Sequence, residues 1–114
     1  MNQERIELLA SELSAALQDE YDKKECVAMA QAKLEVAEAV IIQEAQDAGQ
    51  IDGKNSDTRK AQRAAVVANS ANFKTYNAAV EDAKRIAELA TIERRRVDAV
   101  IELTKAWMYS QCGH

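Results

Sequence analysis

No proline occurs anywhere in this 114-residue chain, and two of its three glycines, Gly49 and Gly53, fall close together near the middle. Proline and glycine are the residues that most readily stop a helix. Residues 2–48 therefore hold no breaker at all, and a second long stretch follows Gly53 with none until its last two residues. Twenty-two alanines, with abundant Glu, Lys, Arg, Gln and Leu, supply the side chains with the lowest helix cost. The class expected is all-α.

The length suits a single helical domain over residues 1–114. Only five residues are aromatic (Tyr21, Phe73, Tyr76, Trp107 and Tyr109), and alanine buries little area, so one chain assembles only a thin core. A homo-oligomer is the natural remedy. The formal charge of −4 hides an asymmetry. Residues 1–48 carry eleven acidic and four basic side chains, whereas residues 49–114 carry eight acidic and eleven basic. That division suits two helices lying against each other, or a basic face held for a partner.

Apolar residues at Ile6, Leu9, Leu13 and Ala16, then at Val27, Ala30, Leu34, Ala37 and Ile41, follow spacings of three and four. The seam is interrupted at Glu20 and Lys23. One long helix over about 2–48 is expected nonetheless, with Leu17 and Tyr21 taking over the apolar stripe locally. Over the turn at 49–57, Gly49 suits the residue just past a helix end, and Gly53 permits a positive φ. Asn55, Ser56 or Asp57 can cap the next helix. That helix is expected to be short, over about 58–68. Asn69, Ser70 and Asn72 then favour a break, before a long helix over about 71–110. Its apolar positions are Tyr76, Ala79 or Val80, Ala83, Ile86, Ala90, Val97, Val100 and Trp107, broken at Glu93 to Arg96.

These elements predict an elongated, coiled-coil-like antiparallel helical hairpin with a short extra helix near its tip. In the simplest register, Arg94, Arg95 and Arg96 lie level with Asp22 to Lys24, and Trp107, Met108 and Tyr109 lie beside Leu9 and Leu13. That apolar cluster is a candidate interface. The two cysteines, Cys26 and Cys112, form no CxxC pair. The charged, amphipathic N-terminus does not resemble a signal peptide, and no apolar run approaches a membrane span. A cytoplasmic protein with reduced thiols and no membrane partner is expected.

The stretch GQIDGKNSDTRKAQR, residues 49–63, resembles a site most closely. A phosphate loop needs GxxxxGK followed by Ser or Thr, after a strand. Here only three residues separate Gly49 from Gly53, Asn55 stands where the hydroxyl belongs, and a helix precedes. The stretch is then a helix start ringed by Lys54, Arg59, Lys60 and Arg63, which can hold an anion or serve as a solvated connector. The triplet Arg94, Arg95 and Arg96 suits nucleic-acid phosphates or structural salt bridges. His114 is the only histidine and no HExxH occurs, so no metal or cofactor is expected. Carboxylate pairs such as Glu35 with Glu38 belong to a solvated face. No nucleophile, base and orienting group can be assembled, which points away from an enzyme.

Gly53, Lys54, Asn55, Arg59, Ala61, Gln62 and Tyr76 carry a resemblance to a set of small phage and prophage helical-hairpin proteins with a Gly-Lys-Asn turn. These are often encoded near single-strand-binding or recombination genes. The resemblance implies an accessory role in the host cytoplasm and a structural turn at Gly53 to Asn55. Taken together, the expectation is a non-enzymatic protein-interaction or accessory protein. The alternatives are a nucleic-acid-binding factor in phage replication or recombination, and a nucleotide or small-ligand sponge between subunits.

Overall fold

The computed structural model describes residues 3–112, and it is all-α: α1 (Gln3–Asp47), α2 (Ser56–Asn69) and α3 (Ala71–Cys112), with no strand among the described residues. A helical hairpin describes the chain. Its contacts fall into two compact units. One joins α1 up to Glu25 with α3 from Lys84 onward, and the other is Cys26–Ala83.

α1 is unbroken for 45 residues. Its less exposed positions are Leu9, Leu13, Ala16, Glu20, Lys23, Val27, Ala30, Leu34, Ala37 and Ile41, with Gln31, Ile42 and Ala45 beside them. The first ten alternate steps of four and three without a slip, which is a heptad seam. Glu20 and Lys23 therefore do not interrupt the stripe. They occupy it, while Leu17 and Tyr21, expected to take it over, are exposed. The reason is geometric. A side chain's direction is set by its heptad position, and a charged residue at an inner position stays inner when a partner satisfies it.

α3 has a matching inner stripe: Phe73, Asn77, Val80, Ala83, Ala87, Ala90, Arg94, Val97, Ile101, Thr104 and Met108. Tyr76, Ile86 and Trp107, expected on it, are instead exposed. Alanine and valine dominate the interior, and their small size lets helices approach closely, leaving larger side chains to flank or face outward.

In the unit containing the start of α1, Glu20 meets Arg94. The pairing is displaced by one helical turn from the expected register, which set Arg94 to Arg96 against Asp22 to Lys24. Of the triplet, only Arg94 holds an inner heptad position, so only Arg94 can turn toward α1.

In the Cys26–Ala83 unit, Leu34, Ala45, Val67 and Val80 are buried, Val80 to 1% exposure. α1 ends in a Schellman motif. The Gly49 N–H donates to the Gln46 carbonyl at 3.0 Å and the Gln50 N–H to the Ala45 carbonyl at 2.9 Å, with Gly49 at φ +74°. Ser70 serves two helices at once. Its N–H donates to the Val67 carbonyl at 3.1 Å to close α2. Its Oγ accepts from the Phe73 N–H at 3.3 Å to start α3.

Candidate functional site

The turn between α1 and α2 is held by side chains of the helix it leads into. Asn55 is the N-cap, its Oδ1 accepting from the Thr58 N–H at 2.8 Å. From within α2, Gln62 reaches back: Oε1 accepts the Gly53 N–H at 2.8 Å, and Nε2 donates to Asp52 Oδ1 at 2.8 Å. The Arg59 guanidinium donates to the Gly53 carbonyl at 3.1 Å. Both backbone groups of Gly53 are thus engaged.

Gly53 does not use the positive φ that its residue type permits; among the described residues only Gly49 does. It is glycine because of crowding. A Cβ there would lie 2.6 Å from Thr58 Cγ2 and 2.9 Å from Gln62 Oε1.

This geometry distributes the basic candidates. Lys54 and Lys60 are exposed, and Arg59 is committed to the turn. Arg63 is half-buried in a hollow that also includes Glu38 and Phe73. Asp52 and Asp57 stand among them. The arrangement is a clasp, with amides and guanidinium turned to internal partners.

The arginine triplet is likewise divided. Arg94 Nε donates to Glu20 Oε1 at 3.2 Å, and its Nη1 to Asp98 Oδ2 at 2.8 Å. Lys24 Nζ stands 3.7 Å from Glu20 Oε2. The Thr91 hydroxyl and the Arg94 guanidinium hold the Glu20 carboxyl below its ordinary value, against the opposing effect of burial. Arg96 makes a two-pronged bond to Glu93 on its own helix, at 3.0 and 2.7 Å, which likewise lowers the Glu93 carboxyl. Arg95 is exposed.

Exposed apolar side chains form a different kind of surface. In the Cys26–Ala83 unit, an open groove of about 580 Å³ is lined by Val36, Ala37, Val40, Ile41 and Tyr76, with Lys33 and Glu44 at its edge. In the other unit, α3 exposes Ile86, Leu89, Ile92, Leu103 and Trp107. The cluster expected from Trp107, Met108, Tyr109, Leu9 and Leu13 is divided between faces. Leu9 is buried, Leu13 and Met108 are half-buried on the inner stripes, and Trp107 and Tyr109 are exposed.

Sequence reasoning missed Asp98 and the partners of Glu20 and Gln62, and it set Ile86, Val100 and Trp107 on the inner stripe instead of on a separate row of α3. Glu20 could have been found as a charged residue one heptad after Leu13 and one before Val27. The row on α3 could have been found as a second set of heptads beside the first.

Among the described residues, no group of His, Cys, Asp and Glu is placed to hold a metal ion, and no helix is long and apolar enough to cross a membrane. His114 lies outside the described residues. Both Cys26 and Cys112 are free and exposed. No protein-family model, curated protein or solved structure matches the chain.

Proposed function

We propose that this chain is a non-enzymatic interaction protein that works by presenting apolar helical faces to other protein surfaces. The observation that carries this reading is the contrast between its two kinds of candidate surface. Three of the five arginines that could grip phosphate are occupied, Arg59 with Gly53, Arg94 with Glu20 and Asp98, and Arg96 with Glu93. Meanwhile Val36, Val40, Ile86, Leu89, Leu103 and Trp107 stand exposed on helix faces. Large apolar side chains left exposed at heptad spacing along a helix face suit an interaction surface.

In this proposal the chain is a homo-oligomer and acts in the cytoplasm as an accessory protein of phage type. The phage element rests on Gly53, Lys54, Asn55, Arg59, Ala61, Gln62 and Tyr76, the residues that carry that resemblance. The test is titration with a short single-stranded DNA oligonucleotide at low and high salt, read by fluorescence anisotropy. The expected result is no binding at either salt. Binding that weakens steeply with salt would overturn the reading and make exposed basic side chains, Lys54 and Lys60 in one unit or Arg95 in the other, the phosphate contacts.

A further inference from the structure

The exposed side of α3 carries its own heptad seam: Ile86, Leu89, Glu93, Arg96, Val100 and Leu103 follow steps of three and four, and Trp107 continues it. All of these residues lie in the unit that contains the end of α3. All are exposed except Val100, which is half-buried. Two apolar stretches flank one charged pair, and the row reads almost alike in both directions about a point between Arg94 and Arg95.

We infer that this face binds a second copy of the same chain, α3 against α3 and antiparallel, about a two-fold axis between Arg94 and Arg95. The second copy is a specific partner for the interaction face proposed above, and its assignment rests on that reading. In this register Ile86 of one copy lies opposite Leu103 of the other, Leu89 opposite Val100, and Glu93 opposite Arg96. From Ile86 to Leu103 every apolar position meets an apolar one, and Trp107 lies outside this matched set. The only charged positions in the row meet their opposites, twice, because the axis repeats the pair. A parallel pairing in the same alignment would set Glu93 against Glu93 and Arg96 against Arg96, which disfavours it.

A second observation agrees with the antiparallel register. Val100, Leu103, Thr104 and Trp107 line a hollow of about 230 Å³ on this part of α3. Their spacing, i, i+3, i+4 and i+7, is the frame into which one side chain of a facing helix inserts. The residue brought to its level by the two-fold axis is Ile86.

The test compares the full chain with Glu93→Arg, which makes the charged pair wholly positive, and Arg96→Glu, which makes it wholly negative. Mass is measured by sedimentation equilibrium, and helicity is checked by circular dichroism. The wild type is expected to be a dimer, and each variant alone to self-associate at least about tenfold more weakly. Mixed in equal amounts, the two variants are expected to form a heterodimer. Both variants lack the Glu93–Arg96 bond within the helix, so a purely intrahelical role predicts no recovery on mixing. Leu103→Glu, at a position 72% exposed and therefore tolerated by the fold, is expected to abolish the dimer. A monomeric wild type, variants that associate like wild type, or a mixture that stays monomeric would each overturn the inference. A monomeric wild type would also remove the homo-oligomer from the wider reading, whose protein-interaction core falls only if the DNA titration shows salt-sensitive binding.

Discussion

At the scale of single residues, Gly49 and Gly53 are glycines for different reasons, and their substitutions separate those reasons. Gly49→Ala forces a Cβ into the left-handed region at φ +74°. It should cost roughly 1–2 kcal/mol with no change in neighbouring side chains. Gly53→Ala drives a Cβ against Thr58 and Gln62 and should cost about 1–3 kcal/mol. Thr58→Ser removes the Cγ2 that lies 2.6 Å away, so adding it to Gly53→Ala should recover part of the loss. Adding it to Gly49→Ala should recover none. Urea unfolding of the four variants checks both statements. Glu20 provides a pH signature. Its carboxyl is lowered from 4.5, so the folded state favours the ionised form. That contribution is fully present above 4.5 and is lost as pH falls through the lower folded value. Glu20→Gln should therefore flatten the acid limb of the melting temperature below pH 4.5, and Glu93 accounts for some of the slope that remains. An acid limb identical to wild type would show that the Glu20–Arg94 bond does not stabilise the fold.

At the scale of elements, the three helices were legible because the breakers are so few. Absence of proline licenses long helices, Gly49 ends one and Asn55 starts the next, all through local backbone chemistry that a sequence displays. The pairing of helix faces was not legible in the same way. α3 has apolar residues on two adjacent sides, so Ile86 and Trp107 fit an inner stripe as well by spacing as Ala87 and Ile101 do. Burial chose the smaller set, because alanine permits the closer approach. Glu20 was misread for the converse reason: a search for hydrophobic period counts a carboxylate as a gap, although its position is unchanged by its charge. The basic candidates at the turn were visible as residue types, but hydrogen bonds such as Gln62 to Gly53 depend on reach across nine residues, which spacing alone does not reveal. Val80, 1% exposed in a core of small residues, tests how tightly the elements pack. Val80→Ala removes two methyl groups and should cost roughly 2 kcal/mol by chemical denaturation. Val36→Ala, on an exposed face of α1, should cost less than about 0.5 kcal/mol in the isolated chain.

At the scale of the whole molecule, the buried apolar set among the described residues is modest: Leu9, Leu34, Ala45, Val67, Val80, Ala87, Ala90 and Val97, of which only two are leucine and none is aromatic. Each alanine adds little to the transfer free energy, so any apolar area that the proposed association covers would count for more here than in a chain with a large core. Stability should therefore depend on concentration. For a folded dimer in equilibrium with unfolded chains, a change of about a hundredfold in concentration is worth about 2.7 kcal/mol by mass action. The melting temperature of the wild type should accordingly climb over that range. The melting temperature of Glu93→Arg should climb less across the same range, since repulsion at the proposed two-fold axis weakens the association without touching the buried stripe. An equimolar mixture of Glu93→Arg and Arg96→Glu should regain the climb. If wild type, single variants and mixture all melt independently of concentration, the thin core is sufficient by itself and the second seam of α3 contributes nothing to folding.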